Sequence, residues 1–162
     1  MISLGYPECE KSRRDQTITL KDRTGGNSRY IGSNPGAKLI MQIEIDGCVI
    51  NDQDKRKCDY LILNCDDNVS YFIELKGSNI SDAYKQIAET YFELNKIAQF
   101  RTNVIDEHFK MMARVVLAKG NVPRIIPSSY RKLVKILEQV NGEKVKDGIH
   151  IKRIKSGQPE IL

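Results

Sequence analysis

An α/β fold with a mixed sheet is the class this sequence predicts, in the order β-β-β-α-β-α-β with helices flanking the sheet. Three observations predict it. Two adjoining runs of β-formers make a hairpin, a long stretch of helical periodicity follows, and two further strand-like segments stand on either side of a second helical stretch. At 162 residues the chain fits a single domain that buries roughly two-thirds of the surface its unfolded form exposes. The expected core spans residues 38–119, between a loop-rich segment 1–37 and a basic C-terminal part 120–162.

Residues 1–37 are polar and glycine-rich, with Thr24-Gly25-Gly26-Asn27-Ser28 and Gly32-Ser33-Asn34-Pro35-Gly36, and read as loops with at most one strand or short helix. From Lys38 to Asp46 the pattern alternates, Leu39, Met41, Ile43 and Ile45 against Ile40, Gln42, Glu44 and Asp46. That alternation is a strand, ended by Asp46-Gly47. After the charged loop Asn51 to Lys57 come Cys58 to Cys65 and Val69 to Lys76, separated by the turn-forming Asp66-Asp67-Asn68. Gly77 breaks the second of these strands. Ser78 or Ser81 then caps a helix whose apolar residues Ile80, Ala83, Tyr84, Ile87, Ala88, Tyr91, Leu94 and Ala98 fall at helical spacing. Phe109 to Ala118 reads as a buried strand closed by Gly120-Asn121, and Pro123 and Pro127 punctuate the next connection. A second helix starts at Ser128 or Ser129 and stops at Asn141-Gly142, and Ile149 to Ile154 makes a last edge strand.

Hydrophobic residues make up 40% and charged residues 29% of the chain, and no apolar run approaches the roughly 18 residues that span a bilayer. The N-terminus has neither a basic region nor a long apolar stretch, so a cytoplasmic setting is expected. Cys9, Cys48, Cys58 and Cys65 form no C-x-x-C pair and lie far from His108 and His150. They read as buried reduced thiols, and zinc is not expected. The net charge of +5 is unevenly spread. Residues 38–119 hold 11 Lys/Arg against 13 Asp/Glu, whereas residues 120–162 hold 9 against 4. Acidic groups gathered at the centre suit cations, and basic flanks suit a polyanion.

The chemistry-bearing pattern is Asp59 followed by Glu74-Leu75-Lys76. As a bare spacing it is weak; its position gives it weight. Alternation along Tyr71 to Lys76 puts Glu74 and Lys76 on one face of an otherwise apolar strand. With a two-residue turn at Asp67-Asn68, Asp59 falls opposite Lys76 and diagonal to Glu74, so all three share a face; a one-residue shift would separate them. Two neighbouring carboxylates need a positive partner, and a hard divalent cation is the usual one for oxygen ligands. The alternative for the three charges is an ion-pair network on a half-exposed sheet.

Cys58-Asp59-Tyr60-Leu61-Ile62, then Tyr71-Phe72-Ile73-Glu74-Leu75-Lys76-Gly77 and an amphipathic helix, resembles the PD-(D/E)xK nuclease superfamily and its restriction-endonuclease-like fold. The resemblance implies a Mg²⁺-dependent endonuclease acting on DNA, with Mn²⁺ as a substitute metal. It implies Asp59, Glu74 and the Leu75 backbone carbonyl as metal ligands, Lys76 as the catalytic lysine, and Gln86 as an auxiliary residue. Cys58 stands where the family name has proline. Many members add an acidic residue on a preceding helix, which residues 1–37 do not supply; Glu8, Glu10 and Glu44 are the candidates. Lys55, Arg56, Lys57, Arg124, Arg131 and Lys132 are the expected backbone contacts, with Lys135, Lys152, Arg153 and Lys155 as further basic residues. One site per chain implies a homodimer or two successive events for cutting both strands. A ribonuclease, or a non-catalytic nucleic-acid-binding or protein-interaction module on the same fold, are the competing expectations.

Overall fold

The computed structural model describes residues 2–76, 79–118 and 125–162, the side chain of Lys76 excepted. The expected strand break at Gly77, the alternative cap Ser78, the turn Gly120-Asn121, Pro123 and Arg124 lie outside the described residues. The molecule is α/β, built on a mixed sheet of six strands flanked by three helices. The strands are β1 (Glu10–Arg13), β4 (Ile40–Glu44), β5 (Tyr60–Asn64), β6 (Val69–Lys76), β7 (Lys110–Leu117) and β8 (Ile151–Lys155), neighbours in that order. Pairing is antiparallel from β1 to β6 and parallel from β6 to β8. The helices are α1 (Ile80–Leu94), the short α2 (Ala98–Phe100) and α3 (Ser128–Asn141).

All seven expected elements are present, but the element order is longer than expected. The N-terminal segment supplies three strands rather than at most one. β1 is the edge of the main sheet, and β2 (Thr17–Lys21) and β3 (Arg29–Ser33) join the C-terminal β9 (Pro159–Ile161) in a second, three-stranded sheet. The physical reason is how little apolar surface these strands carry. β1 reads Glu-Lys-Ser-Arg, and β2 buries only Ile18 and Leu20.

Two cores result. On one face of the main sheet Leu61, Leu63, Phe72, Ala113, Val115 and Leu117 meet α1 and α3 through Tyr84, Ile87, Leu133 and Leu137. On the other face Ile62, Tyr71, Ile73, Val116 and Ile154 meet Ile18, Leu20, Tyr30 and Leu162 of the small sheet. The second core holds a buried ion pair. Arg114 Nε reaches both oxygens of Glu160, at 2.8 and 2.9 Å, Tyr30 donates its hydroxyl to the same carboxylate at 2.6 Å, and the guanidinium lies over the Tyr71 ring.

The β5–β6 hairpin corrects the expected register. Tyr60 pairs with Ile73 and Asn64 with Val69, so the loop has four residues rather than two. Asn64 holds it open, accepting from the Asp67 amide at 3.1 Å and donating to the Asp67 carboxylate at 3.0 Å. Asp66 accepts from the Leu39 amide, and Asp67 from Lys38. Asn68 then turns the chain with φ of 54°, a conformation asparagine tolerates. The slip is two residues, an even number, so the faces are preserved.

The helix ends also differ. Asn79 caps α1 by accepting from the Asp82 amide, whereas Ser81 lies inside the helix and bonds Ser129 of α3 at 3.0 Å. α1 stops at Leu94 instead of running to Ala98. α3 ends at Gly142 in the left-handed conformation, as expected. The cysteines are not all thiols: Cys9 and Cys48 form a disulfide that ties the start of β1 to the connection after β4. Cys58 and Cys65 are free. Among the described residues no helix is long and apolar enough to cross a membrane.

Candidate metal centre

Asp59 stands one residue before β5, where the ladder with β6 loses its regular pattern. Its amide donates to the Ile73 carbonyl at 3.1 Å, and its carboxylate Oδ2 accepts the Leu75 amide at 2.7 Å. A side-chain oxygen thus takes a main-chain donor of β6, which fixes the carboxylate against the strand. Glu74 lies between the two bonded residues of β6, is 2% exposed, and hydrogen-bonds with Asp59. The register therefore brings the two carboxyl groups side by side, closer than the diagonal placement expected from the sequence.

Burial pushes the Asp59 carboxyl up to about 6; the Leu75 amide opposes this, Asp22 and Asp46 add to the rise, and the hydrogen bond with Glu74 opposes it. Burial, and then the charge of Glu74, also hold the Cys58 thiol in its neutral form. Its own amide donates to Thr90 Oγ1 at 2.7 Å. Cys58 is a packed residue and not a nucleophile.

Gln86, on α1, bonds the main chain at Lys57, two residues before Asp59. Its Nε2 donates to the Lys57 carbonyl at 3.2 Å, while its Oε1 is buried and has no hydrogen-bond partner among the described residues. Lys76 occupies the register position opposite Leu117 of β7, as Glu74 does opposite Val115.

The other expected residues are placed differently. Glu44 pairs with Arg23 at 2.7 Å. Glu10 accepts from the Leu4 and Tyr6 amides and the Ser3 hydroxyl, so it organises the N-terminal turn; Glu8 is beside the disulfide. The basic run before Asp59 is engaged locally. Lys55 pairs with Glu93 at 2.7 Å and Arg56 with Asp82 at 3.1 Å. Lys57 is buried, with its ammonium on the Asp52 carbonyl and 3.6 Å from Asp46. On α3, Arg131 is exposed, and Lys132 lies over the Phe92 ring with Glu89 at 3.9 Å.

Asp22 and Asp46 are neighbours of Asp59 that sequence reasoning missed. Asp46 ends the β4 region and Asp22 follows β2. The Tyr60 hydroxyl donates to the carbonyl of Lys21 at 2.9 Å, which docks the end of β2 beside β5. No local pattern announces this, because it depends on how the two sheets stack.

Among the described residues no group of three or more His, Cys, Asp and Glu is spaced to hold a metal ion. The pair Asp59 and Glu74 nevertheless fits a hard divalent cation in donor chemistry. Both offer carboxylate oxygen, and the raised Asp59 carboxyl marks a place where negative charge is costly unless a cation arrives. Main-chain carbonyl oxygen or water would complete such a shell. Comparisons with protein-family models, curated proteins and solved structures found no match.

Proposed function

We propose that the chain is a Mg²⁺-dependent endonuclease of restriction-endonuclease-like fold that hydrolyses phosphodiester bonds of DNA, Mn²⁺ serving in place of Mg²⁺. One observation carries the reading: the half-buried Asp59 carboxyl and the buried Glu74 carboxyl meet at the open end of the β5–β6 hairpin, Glu74 standing two residues before Lys76. Asp59, Glu74 and the Leu75 carbonyl are the metal ligands. A Mg²⁺ ion at this place supplies water activation and neutralises charge on the phosphate. The Leu75 amide holds Asp59 in position, and Gln86, with its buried Oε1 unengaged among the described residues, orients a water or phosphate oxygen. Lys76 stabilises the charge that develops in the transition state. Arg131 and Lys132, and Arg124 before them, guide the phosphate backbone.

The test is digestion of plasmid DNA, single-stranded oligonucleotides and RNA side by side, with Mg²⁺ or EDTA. Wild-type protein is expected to cut DNA with Mg²⁺ only, and Lys76→Ala and Asp59→Ala to lose at least about 100-fold in rate. Variants that cut as fast as wild type overturn the site, and a preference for RNA moves the substrate to that class.

A further inference from the structure

The row of side chains that contains Glu74 continues across the sheet. Glu74 pairs with Val115 of β7, and Val115 pairs with Arg153 of β8. Val115 belongs to the helix-side core, and Arg153 reaches Tyr84 of α1 on that same side. Arg153 therefore stands about 10 Å from Glu74, two strand spacings away.

Here the proposed chemistry leaves a group of side chains unused. Arg153 donates to the Tyr84 hydroxyl at 3.0 Å and to Asp147 at 2.5 Å, and the Tyr130 hydroxyl donates to the other Asp147 oxygen at 2.7 Å. The rings of Tyr84 and Tyr130 meet edge to face at 5.2 Å. Together with Ile80, Ile125 and Ile126 these four side chains line an open cavity of about 220 Å³. Ile125 is 82% and Ile126 58% exposed, so two adjacent large apolar side chains face water at the rim.

We propose that this cavity takes one unstacked nucleobase of the strand whose phosphate lies at Asp59 and Glu74, an inference that rests on the nuclease reading. A base is flat and apolar on its faces and carries donors and acceptors on its edge. The cavity combines both characters, with isoleucine and tyrosine side chains and a Tyr–Asp–Arg hydrogen-bonded group in its lining. Arg153 and Asp147 neutralise each other, so the polar part of the lining suits an uncharged hydrogen-bonding edge rather than a charged group. The backbone attached to the base is met as well. The first turn of α3 opens onto the cavity at Pro127, carries no acidic residue, and has no side-chain cap on its amides, so it favours a phosphate. A separation of about 10 Å places the cavity a nucleotide or two along the strand from the carboxylates.

The test uses the full chain and fluorescein-labelled single-stranded oligonucleotides in which an abasic site is moved through the sequence one position at a time. Binding is read by anisotropy in EDTA, and cutting is read separately in Mg²⁺. Wild type is expected to lose at least about tenfold in affinity when the abasic site falls at one position. Ile126→Asp, at an exposed site that leaves the core intact, is expected to bind intact and abasic strands alike, and Ile126→Leu to restore the difference. Equal binding to every abasic strand by wild type, or an undiminished difference in Ile126→Asp, overturns the assignment. A base-dependent affinity without cutting keeps the cavity assignment and overturns the nuclease reading. Cutting without base dependence does the reverse, and neither effect overturns both.

Discussion

Asp59 pays for its position in the metal-free protein, and the sign of that cost can be worked out. Burial lifts its carboxyl to about 6, so between about pH 4 and pH 6 the folded state binds more protons than the unfolded state. Stability from this group therefore falls as pH rises through that window, and above it the full penalty remains. A rise of this size corresponds to on the order of 3 kcal/mol. Asp59→Asn keeps an acceptor for the Leu75 amide and removes the charge. In EDTA its Tm is expected to exceed that of wild type at pH 7.5 and to match it near pH 4; thermal scans at the two pH values check this, and a lower Tm at pH 7.5 contradicts it. At this scale Asp59 and Glu74 were readable from the sequence, because charged residues interrupting an apolar strand are conspicuous. Asp22 and Asp46 were not. Asp22 approaches Asp59 through the Tyr60–Lys21 hydrogen bond between sheets, which leaves no trace in local spacing, and Asp46 through the β4–β5 pairing, where the Ile45 amide donates to the Asp59 carbonyl at 3.0 Å.

Among the elements, the β5–β6 hairpin shows how a correct face can accompany a wrong register. The turn residues Asp66-Asp67-Asn68 were recognisable, but Asp66 and Asp67 also serve β4 through the Leu39 amide and Lys38. That demand widens the loop to four residues and moves Asp59 from opposite Lys76 to beside Glu74. Asn64, fully buried, holds the widened loop through two hydrogen bonds to Asp67. Asn64→Ala removes both hydrogen bonds and is expected to destabilise the fold by about 1–3 kcal/mol, measured as a lower urea midpoint. An unchanged midpoint would remove Asn64 as the residue that sets the register. Long periodic elements such as α1 and α3 were visible in sequence because many apolar residues repeat along one side. β1, β2, β3 and β9 were not, since each has few residues that bury and depends on a neighbouring strand to do so.

For the molecule as a whole, the six-stranded sheet separates a helix-side core from a core shared with the small sheet. The second core is held across its layers by Arg114 and Glu160, which are both nearly inaccessible to water. Removing one partner leaves the other charge buried, so Glu160→Gln is expected to cost about 3–5 kcal/mol, whereas Arg114→Met with Glu160→Leu is expected to recover much of that loss. Chemical denaturation of the single and double variants checks it, and a single variant as stable as wild type contradicts it. This stacking also docks the end of β2 beside Asp59, so the acidic centre is a product of both sheets. The most direct test of a metal at Asp59 and Glu74 is a crystal structure with Mn²⁺ soaked in and its anomalous signal recorded. A Mn²⁺ peak is expected within coordination distance, about 2.1 Å, of carboxylate oxygens of Asp59 and Glu74. A peak absent from this place, with the two carboxyl groups still hydrogen-bonded to each other, would contradict it.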